Sequence, residues 1–111
     1  MWAMLLLSAA SATPSDTSYA WALAYTSFVL HRCPGWEQRL DVFPSRVLPT
    51  AETWTTTWGD DGVLTKAYRL GGRAAEAAQR ADAGFCDHPT RSQPERAPLL
   101  DRILVRVPVQ P

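Results

Sequence analysis

The chain has 111 residues, which fits one domain and leaves no room for two, and its 46% hydrophobic side chains are enough for a real core. Its 11 basic and 11 acidic residues cancel. That balance excludes the basic stripe of a nucleic-acid binder and the polybasic segment of a membrane-surface protein.

Residues 1–12 read MWAMLLLSAASA. An apolar stretch gives way to small residues ending in Ala10-Ser11-Ala12, an A-x-A cleavage pattern, and the polar, turn-prone Thr13-Pro14-Ser15-Asp16 follows. This reads as a cleaved signal peptide, with residues 13–111 as a single domain. The basic n-region is missing and the apolar run is short, which a start codon placed too late explains. The alternative is an apolar arm packed on the domain. A membrane span needs about 20 continuous apolar residues; polar groups at 13–18 interrupt the run, so no integral span is expected. No cysteine follows the apolar stretch to take a lipid.

The first strong element is a helix over residues 18–32. Trp21, Tyr25, Phe28 and Arg32 recur at helical spacing, with Leu23 and Leu30 nearby, so the helix is apolar nearly all round and belongs inside. Asp16 or Ser18 would cap it. Cys33-Pro34-Gly35 ends it. Residues 36–43 suggest a short helix with Trp36, Leu40 and Phe43 on one face. Pro44 and Pro49 then bracket a loop. The segment 50–58, TAETWTTTW, reads as a helix capped by Thr50 with Trp54 and Trp58 one turn apart; a strand is the alternative, favoured by its β-branched threonines. Gly59-Asp60-Asp61-Gly62 marks a turn, and Asp60 or Asp61 would cap a second long helix over about 62–84. Leu64, Tyr68, Gly71, Ala75 and Ala78 form its inner stripe. The Gly71-Gly72 pair, unfavourable in a helix by roughly 1 kcal/mol per glycine, either kinks it or admits a bulky partner such as Trp21. Residues 89–111 are Pro-rich and partly irregular. Pro98 opens a last helical turn through Leu99, Leu100, Ile103 and Leu104, or residues 103–107 form a strand. The expected fold is all-α: two longer helices, short ones between them, one disulfide and an irregular tail.

Two cysteines in a small exported domain read as a Cys33–Cys86 disulfide. Both follow the C-terminal ends of the long helices, so joining them requires a parallel arrangement or a chain that folds back after one helix. His31 and His88, the only histidines, each stand two positions from a cysteine. A Cys2His2 metal site of His31, Cys33, Cys86 and His88 is the sharper alternative; one-residue ligand spacing and an oxidising compartment argue for the disulfide. Cys33-Pro34-Gly35-Trp36 has Trp where a thioredoxin-type motif needs its second cysteine.

Ser27, Ser45 and Ser92 lack a nucleophile-elbow context. Gly71-Gly72-Arg73 lies within a helix, without the strand and Lys-Ser/Thr of a phosphate loop. No catalytic residue and no cofactor is expected. The leading functional expectation is a non-enzymatic binding or accessory protein, periplasmic or secreted, meeting a protein partner through tryptophans of the shorter elements: Trp36, Trp54 and Trp58. The alternative is an acid- or envelope-stress holdase. In size and in its single long-range cysteine pair the chain resembles small helical acid-stress chaperones of the periplasm; no motif is shared, so no residue roles follow. The third reading is a metal-binding protein built on the His–Cys cluster. Expression with the upstream sequence is expected to yield an intact mass beginning at Thr13, with thiol labelling only after reduction. Retained Met1 or free thiols would contradict the export reading.

Overall fold

The computed structural model describes residues 14–50, 53 and 57–108, and the statements below concern those residues. The expected signal peptide, Trp54 and most of the segment 50–58 lie outside them. In chain order the elements are helix α1 (Asp16–Arg32), strand β1 (Trp36–Gln38), 3-10 turns at Leu40–Val42 and Ser45–Val47, helix α2 (Val63–Ala81), helix α3 (Ala97–Ile103) and strand β2 (Leu104–Arg106). The chain is mostly helical, as expected, with a small two-stranded sheet that the all-α reading lacked.

α1 is the centre of the molecule. Every residue from 19 to 26 is buried, as its all-round apolar sequence requires. The one polar side chain in that run, Thr26, donates to the Ala22 carbonyl (2.8 Å) and accepts from Gln38 Nε2 (2.7 Å). The cap is Ser15, whose Oγ accepts the Ser18 N–H (3.2 Å), and neither Asp16 nor Ser18 fills that role. Asp16 falls in the first turn instead, where the helix dipole favours its charge and Arg46 pairs with it at 3.1 Å.

α2 is amphipathic, burying Leu64, Thr65, Gly71, Ala75 and Ala78. It is shorter than expected at both ends. The turn before it closes from Gly62 N–H to Gly59 carbonyl (3.3 Å), and the helix starts only after that turn, with Gly62 as an N-cap that makes no side-chain bond. Asp60 and Asp61 therefore do not cap it. At the other end Asp82 Oδ1 accepts the Gly84 N–H (2.8 Å), an Asx turn that stops the helix at Ala81.

α1 and α2 pack along their length and point the same way. Asp16 and Thr17 share a recess with Gly62, Val63 and Leu64; Gly71 lies on Trp21; beyond both C-terminal ends Cys33 bonds to Cys86 with Cα atoms 5.2 Å apart. The glycine pair does admit Trp21, but through its backbone: a Cβ on Gly71 would stand 2.1 Å from the Trp21 carbonyl oxygen.

Residues 36–43 are not a helix. Trp36, Glu37 and Gln38 pair antiparallel with Arg106, Val105 and Leu104. Pro44 holds Phe43 extended (φ −83°, ψ 137°), leaving room for a single 3-10 turn. At the C-terminus both sequence readings are realised in succession, a helix with Pro98 in its first turn and then a strand. The intervening tail is tied down by Tyr25, whose hydroxyl donates to the Pro89 carbonyl at 2.6 Å, and by the Arg96 guanidinium 4.1 Å above the Trp21 ring.

The glycine pair separates packing from propensity. Gly71→Ala forces α1 and α2 apart and is expected to cost about 2 kcal/mol. Gly72→Ala, with nothing within 4 Å of the added Cβ, is expected to stabilise by about 0.5–1 kcal/mol. Urea titration of both variants checks the opposite signs.

Candidate functional site

The disulfide end brings together most of the residues that the sequence singled out. Cys33 is buried and Cys86 half-buried. Trp36 lies beside them, its Nε1–H donating to the Cys86 carbonyl (2.9 Å). Arg106 covers the indole at 4.4 Å and donates to the Asp87 carbonyl (2.9 Å). Trp36 is thus a half-buried brace of this corner. With both sulfurs bonded, no thiolate is left as a ligand.

The two histidines line different recesses. His31 lines a recess with Phe28, Tyr68 and Gly72, while His88 lines another with Trp36, Asp101 and Leu104. Two positions along a helix turn a side chain through about 200°, so His31 leaves α1 on the side away from Cys33. Among the described residues no group of three or more His, Cys, Asp or Glu side chains is placed to hold a metal.

A cavity of about 770 Å³ adjoins the His31 recess, sharing Ser27 and Tyr68 with it, and adds a different set of residues. Leu23 and Ser27, one turn apart on α1, form its floor. Gln38 reaches over from the end of β1, its amide anchored on Thr26 and on Ser27 Oγ (3.0 Å). Leu40 and then Leu48, Pro49 and Thr50, held out by the two 3-10 turns, make one wall. Thr65, Tyr68 and Arg69 of α2 make the other. Leu40 (47% exposed) and Tyr68 (37%) stand at the rim. Asp41, next to Leu40, faces solvent, and a hydrogen bond from Arg39 holds its carboxyl below the usual range.

Trp58 closes the cavity between these walls. The Thr57 and Trp58 N–H groups both bond to the Thr53 carbonyl (2.9 and 3.0 Å), and Thr53 N–H bonds to Thr50 Oγ1 (3.1 Å). Thr65 Oγ1 fastens the turn to α2 by donating to the Gly59 carbonyl. Gly62 passes so close under Trp58 that a Cβ would meet its carbonyl oxygen at 2.1 Å. The indole packs edge-on against Tyr68 at 5.8 Å and is only 6% exposed. Its buried Nε1–H has no hydrogen-bond partner. Trp58 therefore offers a cavity wall and not the projecting surface that its Pro-bounded position suggested. The cavity itself was missed from sequence, because its lining comes from five separate stretches of chain and no spacing connects them.

Among the described residues no helix is long and apolar enough to cross a membrane. No protein-family model matches the chain, and neither a curated protein nor a solved structure is similar to it.

Tyr25 links this site's floor helix to the tail. Burial pushes its phenol above the ordinary range, with the Ser92 hydrogen bond acting weakly the other way. The unfolded phenol ionises near pH 10 while the folded one stays neutral, so folding stability is full below that pH and is lost as pH rises through the higher folded value. Tyr25→Phe is expected to cost about 1 kcal/mol at neutral pH, from the lost bond to Pro89, and to flatten the alkaline loss. Denaturant midpoints between pH 8 and 11 check both effects.

Proposed function

We propose that the chain is a non-enzymatic binding protein of the periplasm or the extracellular space, and that it receives an apolar ligand in the cavity beside Trp58. The observation that carries this reading is the cavity itself. Its volume lies within the roughly 300–1,000 Å³ of small-molecule sites, and its walls are mainly aliphatic and aromatic with a few polar groups, the composition that such sites share. Exposed Leu40 and Tyr68 give an apolar ligand a way in. The disulfide supports that compartment, since such bonds persist where thiols are not kept reduced, and the A-x-A pattern near the N-terminus supports it too.

Acid loosens a fold by protonating carboxylates that are paired in it or histidines buried neutral in it; the pairs of Asp16, Asp41 and Asp82 with arginines lie at the surface, where each is worth little. Among the described residues the buried polar side chains are Thr26 and Thr65, neither of which titrates. The binding reading therefore rests on firmer ground than the stress-chaperone one.

A neutral apolar fluorophore, N-phenyl-1-naphthylamine, tests the cavity without help from charge. Saturable emission enhancement is expected with the oxidised protein. Leu40→Arg, at the rim, should abolish it. Leu70→Arg replaces a side chain that is 57% exposed and does not line the cavity, and it should leave binding intact. No saturable binding, or equal loss in both variants, would overturn the proposal.

A further inference from the structure

We infer that the ligand of this cavity is an apolar monocarboxylate, an apolar tail carrying one negatively charged head; the inference rests on the binding reading above. The tail is set by the walls: Leu23, Leu40, Leu48, Trp58 and the Tyr68 ring are apolar, and the Gln38 amide, Ser27 Oγ and Thr65 Oγ1 beside them are already hydrogen-bonded within the protein. The head is set by charge. Arg69 is the one charged residue among the described lining, and it is exposed, with no ion pair and no hydrogen bond. Arg39, Arg46, Arg80 and Arg91 pair with Asp41, Asp16, Glu76 and Asp82; Arg73 and Arg102 are unpaired like Arg69 among the described residues, but neither lines this cavity. Arg69 thus leaves a cation unanswered at an apolar cavity.

The Arg69 guanidinium sets the chemistry of that head. A carboxylate is acceptor-only, carries a single negative charge and matches the planar fork of a guanidinium. A phosphate dianion would leave its second charge uncompensated among aliphatic side chains, and an amine would meet Arg69 as a like charge. A neutral alcohol would gain the apolar walls alone.

Titration calorimetry of the oxidised protein at neutral pH with decanoate and with 1-decanol tests this. Decanoate is expected to bind at least about tenfold more tightly than decanol, the margin of a charge-assisted contact. Arg69→Gln should bring decanoate down to the level of decanol and leave decanol unchanged. Arg73→Gln, one turn further along α2, should change neither. Equal affinities in the unmodified protein, or equal losses in Arg69→Gln and Arg73→Gln, overturn the carboxylate inference while the apolar cavity stands. Binding of neither compound, together with no binding of the neutral fluorophore, overturns both.

Discussion

Two helices that lie side by side and point the same way oblige the chain between them to travel back along their length. α1 has 17 residues and is therefore about 25 Å long, a distance that a tight turn cannot span. The return path is assembled from short pieces: the strand β1, two 3-10 turns set by Pro44 and Pro49, and the segment leading to Trp58. The close contact of Gly71 with the Trp21 backbone draws the helices together, and the Cys33–Cys86 bond ties them beyond their C-terminal ends. In the chain-entropy account, closing a loop over a separation of 53 residues contributes about 4 kcal/mol. That is a large share of the net stability of a domain this small.

The same constraint accounts for the tail. With α2 along one side of α1, the rest of its apolar circumference has to be covered by other chain. α3 supplies the fully buried Leu100 and Ile103, and β2 pairs with β1 to complete the cover. The stretch between α2 and α3 has no regular structure of its own and is held by individual contacts. Phe85 packs edge-on against Phe28, Tyr25 bonds to Pro89, and Arg96 lies over Trp21. Arginine suits this role, because its guanidinium stacks on an aromatic face while staying in reach of water.

A return path built from proline-bounded turns packs less completely than a helix would, and the cavity lies where it passes over α1 and α2. Irregular chain presents side chains at spacings that do not interdigitate with helical ridges. The flank beside Trp58 combines an apolar lining, the unpaired Arg69 guanidinium, and the partly exposed Leu40 and Tyr68 at the rim. The disulfide corner is instead braced by Trp36 and Arg106, which bond to the Cys86 and Asp87 carbonyls.

Local pattern determined the two long helices, because an all-round apolar face and a one-sided stripe of small residues are periodic signals contained within one stretch of chain. It likewise placed the turn at Gly59–Gly62, the helical opening at Pro98 and the pairing of the only two cysteines. The helix caps were misassigned by one to three residues, since several short polar side chains stood at each boundary and geometry chose among them. Tertiary structure alone decided that residues 36–38 are a strand, because the partner that satisfies their backbone groups lies at 104–106, far along the chain. It also decided that His31 and His88 line different recesses, and that Trp58 is a wall and Trp36 a brace. The cavity was out of reach for the same reason: five stretches meet around it only after α1 and α2 have been set parallel, and proximity of that kind leaves no trace in spacing or composition.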